Sequence, residues 1–211
     1  MKNQFLPINK KDMENRKWKC CDIILVTGDT YIDHPSFGTS IISRVLENKG
    51  FKVGIISQPD CSDIKSFQKL GSPRLFFSVS SGNVDSIINN YTPFLNKRKK
   101  DMYSTEKNKY SRPDRSVITY SNIIHKLYPN IPIVAGGIEA SLRRFAEYDY
   151  LTNKVRQSIL ADAPIDMIVY GMGELQIVKI AMLLNQGKKI SSIRDIDGTS
   201  WKMTIKEFKT K

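Results

Sequence analysis

The chain has 211 residues, 40% of them hydrophobic, enough for one domain with a sizeable core. Its apolar runs all fall short of the ~20 residues that span a bilayer, and its start, Met-Lys-Asn-Gln-Phe-Leu-Pro, lacks a signal peptide's apolar stretch. A cytoplasmic protein is therefore expected and a membrane-spanning one excluded. The formal charge of +12 admits a polyanionic partner, while three cysteines (Cys20, Cys21, Cys61) neither make a disulfide framework nor complete a zinc or iron–sulfur ligand set.

Residues 1–19 read as a polar leader with scattered apolar anchors (Phe5, Leu6, Ile8, Trp18), packing loosely on the domain. Residues 22–27 form a continuous apolar run of strand length, the mark of a strand buried on both faces. A long loop, 28–38, leads to a helix over 37–49 whose apolar residues recur at helical spacing and which Gly50 stops. A second strand, 52–57, completes a βαβ unit. The alternation continues with a helix over 61–70, a strand over 74–80 and a short helix over 83–90. A basic insertion, 96–115, precedes an amphipathic helix over 116–127. The fourth and fifth strands are 131–135 and 166–170, with helices over 151–161 and 174–185, the last closed by Gly187. Residues 191–205 suggest a small β addition around Gly198, followed by a structureless basic end. The expected fold is α/β, a Rossmann-like, flavodoxin-type five-stranded parallel sheet with helices on both faces, spanning 20–190.

In such a sheet, ligands sit at the carboxyl edge. Gly136-Gly137 follows the fourth strand and leads into Glu139, Arg143 and Arg144; Gly171, Gly173 and Glu174 follow the fifth. Glu139 and Arg143 lie at i, i+4, an arrangement that suits a helical ion pair or a ligand contact equally. Glu174, at a helix start, is favoured by the helix dipole and also suits the shared cleft. The first loop is neither Gly-x-Gly-x-x-Gly nor a P-loop, but holds Asp33-His34. A carboxylate beside an imidazole can support a metal ligand or simply stabilise a turn. Tyr103 and Tyr110, interleaved with the cations of the basic insertion, suit nucleic-acid stacking, but the abundance of lysine, asparagine and isoleucine throughout the chain favours a solvated loop.

Three stretches in this order resemble cobalamin-binding domains: Asp33-His34-Pro-Ser-Phe-Gly38, then Ser78-Val-Ser80-Ser-Gly82, then Gly136-Gly137. The first departs from Asp-x-His-x-x-Gly, because Asp and His are adjacent and the glycine falls one residue late. Weak or no cobalamin binding is therefore expected. A closer resemblance covers roughly residues 20–202. It rests on residues 26–38 and 50–59, Arg112-Pro-Asp-Arg115, residues 136–144, Tyr148-Asp-Tyr150 and Tyr170-Gly-Met-Gly-Glu174. Together these are similar to the N-terminal region of YgiQ-type radical SAM proteins. That family commonly has histidine before the Tyr-Asp-Tyr and tryptophan after it, where this chain has Glu147 and Leu151.

The resemblance implies an accessory domain whose cleft faces a C-terminal barrel, with a [4Fe–4S] cluster and S-adenosylmethionine as the parent's cofactors. The substrate is unspecified. The barrel's Cys-x-x-x-Cys-x-x-Cys does not occur here, so the chain is expected to be an isolated N-terminal domain, inactive alone, with no cofactor of its own. Residues 191–211 would lead toward the barrel, and an apolar docking surface on a monomeric or weakly associating domain is expected. A freestanding small-molecule or nucleic-acid binding module using 97–115 is the alternative. A flavodoxin-like redox domain finds no phosphate-binding Ser/Thr-rich first loop.

Overall fold

The computed structural model describes residues 5–105 and 112–209. In chain order the elements are α1 (Lys10–Asn15), β1 (Ile23–Thr27), α2 (Gly38–Asn48), β2 (Val53–Ser57), a 3-10 turn (Ile64–Phe67), β3 (Phe76–Ser80), α3 (Ser86–Asn90) and α4 (Ser116–Leu127). They continue with β4 (Ile133–Ala135), α5 (Gly137–Leu142), β5 (Glu147–Asp149), β6 (Lys154–Arg156), α6 (Ile159–Asp162), β7 (Met167–Val169) and α7 (Glu174–Asn185). A second 3-10 turn (Ile190–Ser192), β8 (Thr199–Ser200) and α8 (Ile205–Lys209) complete the order.

Five parallel strands and one antiparallel edge strand make the sheet, in the order β2-β1-β3-β4-β7-β8. The parallel part has the flavodoxin-like order, with its switch point between β1 and β3. Register follows from burial on both faces: Leu25 lies beside Ile55 on one side and Ser78 on the other, and Ala135 beside Ile168. Alternate residues feed two cores. Ile23, Leu25, Phe76, Val134 and Met167 pack under α2 and α7, while Ile24, Val26, Phe77 and Ile133 pack under α4. α2 ends as its sequence predicts. Gly50, at φ +88°, donates its N–H to the Glu47 carbonyl at 2.9 Å, and Phe51 donates to Leu46 at 3.2 Å.

The leader is bound more firmly than expected. Leu6 and Met13 are buried, and the Leu6 N–H donates to the Tyr31 hydroxyl at 3.2 Å. The Pro7 carbonyl accepts the Ile55 N–H at 2.8 Å, alongside the outer strand β2. The expected helix over 61–70 contracts to the first 3-10 turn. Asp60 accepts from Ser62 N–H at 2.8 Å, and Asp63 from Lys65 N–H at 3.0 Å, side-chain bonds that compete with helix propagation. At the chain end, 205–209 is helical rather than structureless.

The expected helix over 151–161 is replaced by the β5–β6 hairpin and only a short α6. Buried Asp149 accepts from Leu151 N–H at 3.2 Å and Thr152 Oγ1 at 2.7 Å, and it pairs with Arg115. That turn then needs Asn153 at φ +53°, a left-handed conformation asparagine tolerates better than most residues. Asn153→Ala is expected to cost about 1 kcal/mol in unfolding free energy, read from the urea midpoint. An unchanged midpoint would show that the hairpin does not depend on this residue.

Candidate ligand cleft

A cavity of about 220 Å³ opens at the carboxyl ends of β1, β3, β4 and β7, between the N-termini of α2 and α7. Alternation along β3 supplies its polar wall. Phe76 is in the α2/α7 core, and Ser78 and Ser80 continue the same face beyond the point where the helices cover it. Neither hydroxyl has a hydrogen-bond partner among the described residues. Thr39 of α2 adds a third hydroxyl, and most of the remaining wall is apolar, with Val134 and Val169 from the sheet, Ile41 and Ile42 from α2, and Ile177 from α7.

Glycines keep the mouth open. A Cβ on Gly137 (φ +80°) would sit 3.4 Å from the Ser80 Cβ, and one on Gly173 would lie 2.6 Å from Val169 Cγ1. Gly38, Gly136 and Gly171 also line the cavity, as does Glu174, the first residue of α7. Glu174 makes no hydrogen bond or ion pair with any described residue. Three expected site residues lie elsewhere.

Asp33 and His34 do not form a supported imidazole. The Asp33 carboxylate is taken by Arg44, whose Nε reaches Oδ1 at 3.1 Å, because α2 turns that guanidinium back over the loop. His34 is exposed, and its Nδ1 accepts the Ser36 N–H at 3.1 Å, a local turn bond. Both are outside the cavity lining.

Glu139 is fully buried. Its Oε1 accepts the Val117 N–H at 3.0 Å, and Oε2 accepts the Ser86 N–H at 3.0 Å together with the Ser86 hydroxyl. Ser86 opens α3 and Val117 lies in the first turn of α4, so one carboxylate caps two helices. The i, i+4 pair with Arg143 does not form. Arg143 instead pairs with Asp85 at 2.8 Å and with Glu147. Burial, followed by the charge of Asp85, pushes the Glu139 carboxyl above its ordinary range against the pull of its three donors.

Sequence reasoning missed the clamp behind the rim. The Arg112 side chain is wholly buried, with Nη2 donating to Asp29 Oδ1 and Nη1 to the Ser81 carbonyl, both at 2.6 Å. Asp29 Oδ2 accepts the Asn83 N–H at 2.7 Å, and the Asn83 amide donates to the Ser36 carbonyl at 3.0 Å. The loop after β1 is thus joined to the turn after β3. Gly82 (φ +106°) has no room for a Cβ, which would collide with the Asp29 carboxylate. The available signal was the pair of resembling stretches, Thr27-Gly-Asp and Arg112-Pro-Asp-Arg115, charged residues with no assigned task.

The basic insertion is held at both sides. The Thr30 N–H donates to the Tyr103 carbonyl at 2.9 Å, and Arg98 donates backbone N–H to Asn90 at 2.7 Å. Tyr103 packs edge-on against Phe37 with ring centroids 6.3 Å apart, so it is no free stacking platform. Tyr110 lies outside the described residues.

A mostly parallel open sheet carrying a cleft at the carboxyl edge beside its switch point defines a Rossmann-like module. The chain belongs to the radical SAM N-terminal family, whose model matches residues 5–211. It is 61% identical to a UPF0313 protein of Methanosarcina acetivorans, over 98% of this chain and 28% of the relative. Identity is 59% with a UPF0313 protein of Methanosarcina mazei (96% of this chain, 32% of the relative) and 57% with one of Clostridium perfringens (94% and 30%). The chain thus spans about a third of the length of the curated relatives it matches.

The [4Fe–4S] cluster that this family implies does not fit the thiols present. Cys20 and Cys61 are exposed and Cys21 is buried, with its sulfur packed toward Gly54. Burial pushes the Cys21 thiol up to about 12, away from the thiolate form that iron requires. Among the described residues, no three of His, Cys, Asp and Glu are grouped for a metal. No described helix is long and apolar enough to cross a membrane.

Proposed function

We propose that this chain is the N-terminal accessory domain of a cytoplasmic, YgiQ-type radical SAM protein, with its carboxyl-edge cleft turned toward the barrel that binds S-adenosylmethionine and the cluster. The observation that carries this reading is the uncovered apolar border of the cleft. Met172, in the cavity lining, and Leu175, the residue after the lining residue Glu174, are 84% and 76% exposed, and Ile138 and Leu142 of α5, the helix that starts at the lining residue Gly137, are exposed as well. Apolar side chains gathered at the mouth of a polar-floored cavity suit a second domain that closes over it. In this reading the accessory domain supplies shape and hydrogen-bonding groups to a ligand held between domains, and the radical chemistry belongs to the remaining two-thirds of the protein.

Hydrogen exchange tests it by comparing this chain with the full-length Methanosarcina acetivorans relative. Amides of 138–142 and 171–175 are expected to exchange at least about tenfold more slowly in the longer protein, a change equivalent to about 1.4 kcal/mol. Equal exchange at the mouth, or protection only at the amino edge of the sheet, would rule the orientation out.

A further inference from the structure

The chemistry lining the cleft restricts what can enter it. Glu174 is the one charged side chain in the described lining, which contains no lysine, arginine or histidine. A carboxylate only accepts hydrogen bonds, and each serine hydroxyl accepts as readily as it donates. The protein's side chains therefore offer Glu174, Thr39, Ser78 and Ser80 as acceptors against three hydroxyl donors. A phosphate or carboxylate seated here would face Glu174 across apolar walls with no side-chain cation to compensate it, an unfavourable burial of like charge. The N-termini of α2 and α7 add backbone dipoles that favour negative charge, and at the start of α7 Glu174 already supplies a negatively charged group.

We propose that the cleft takes a ligand group with N–H donors on an apolar body, an amine in the simplest case, with the nitrogen directed at Glu174 and the β3 hydroxyls. The inference rests on the reading of the cleft as a ligand site and specifies its chemistry. At about 220 Å³ the cavity is below the ~300–1,000 Å³ typical of sites that enclose drug-sized ligands, so it takes a compact group or one end of a longer molecule. The chain's overall charge of +12 does not reverse the preference. At physiological salt, exposed charges farther away than about 8 Å are largely screened, whereas a carboxylate in direct contact is not.

The test titrates this chain with three probes of similar size and different charge: 2-phenylethylamine, 3-phenylpropionate and benzyl alcohol. Heteronuclear NMR follows the amides of Ser80, Gly137 and Gly171. The amine is expected to shift these resonances saturably, and Glu174→Gln to weaken it about tenfold through loss of a charge-assisted hydrogen bond. Ser78→Ala should weaken it by a smaller factor. Tighter binding of 3-phenylpropionate than of the amine, or an amine affinity unchanged in Glu174→Gln, overturns the proposal. Benzyl alcohol binding as well as the amine would overturn the donor preference and leave the cleft standing as a ligand site. If no probe moves these amides, the ligand-site reading fails with it.

Discussion

Replacing Arg112 with methionine is expected to lower the unfolding free energy by about 3–5 kcal/mol, the usual cost of removing one partner of a buried ion pair. Methionine fills much of the guanidinium's space but leaves the Asp29 carboxylate buried beside an apolar chain, and it strands the Ser81 carbonyl. Adding Asp29→Leu should recover part of that loss, because the destabilisation comes mainly from the uncompensated charge. Urea unfolding of the two single variants and the double variant measures the coupling. A loss below about 1 kcal/mol for Arg112→Met would show that the clamp does not support the fold. Gly82→Ala acts on the same clamp from the other side and should destabilise as well, since its Cβ and the Asp29 carboxylate claim the same space.

The second large effect is at Glu139. Glu139→Ala leaves the Ser86 N–H and the Val117 N–H without their acceptor inside the protein, each at about 1–3 kcal/mol, and the Ser86 hydroxyl with Ser116 as its remaining partner, so a loss of about 2 kcal/mol or more is expected. Glu139→Gln keeps one acceptor oxygen and should cost less. Its distinctive effect is on pH dependence. A carboxyl raised on folding contributes stability that is complete below the ordinary carboxylate range and fades as pH rises through its raised native value. Glu139→Gln should therefore flatten the decline of stability with pH over that interval. Denaturation midpoints at stepped pH read this directly, and an unaltered slope would contradict the raised native pKa.

The sheet was legible because a doubly covered parallel strand leaves a simple trace, a short run of apolar residues bounded by turns. Residues 22–27, 52–57 and 74–80 all carry it, and each holds one of the parallel strands. The glycine turns at 136–137 and 171–173 were legible for the same reason, since a strand of known direction fixes which end its following turn occupies. Asp33, His34 and Glu139 fall outside the cavity because their partners are remote or local in ways that a motif does not encode. Arg44 is eleven residues from Asp33, and Ser86 is fifty-three from Glu139. The hairpin over 147–156 escaped detection because one buried side chain, Asp149, outweighed the helical spacing of the residues after it. Long-range polar pairing leaves no periodicity, so the clamp at Arg112 became visible only in three dimensions.

The segment that begins the chain has a protective consequence. An outermost strand is a template on which a neighbouring molecule can extend the sheet, and β2 occupies that position. With Leu6 inserted in the core and the Pro7 carbonyl occupying the Ile55 N–H, the template is blunted from within the same chain. Residues 6–7 thus cover part of the edge along which one copy of this protein could add itself to the next.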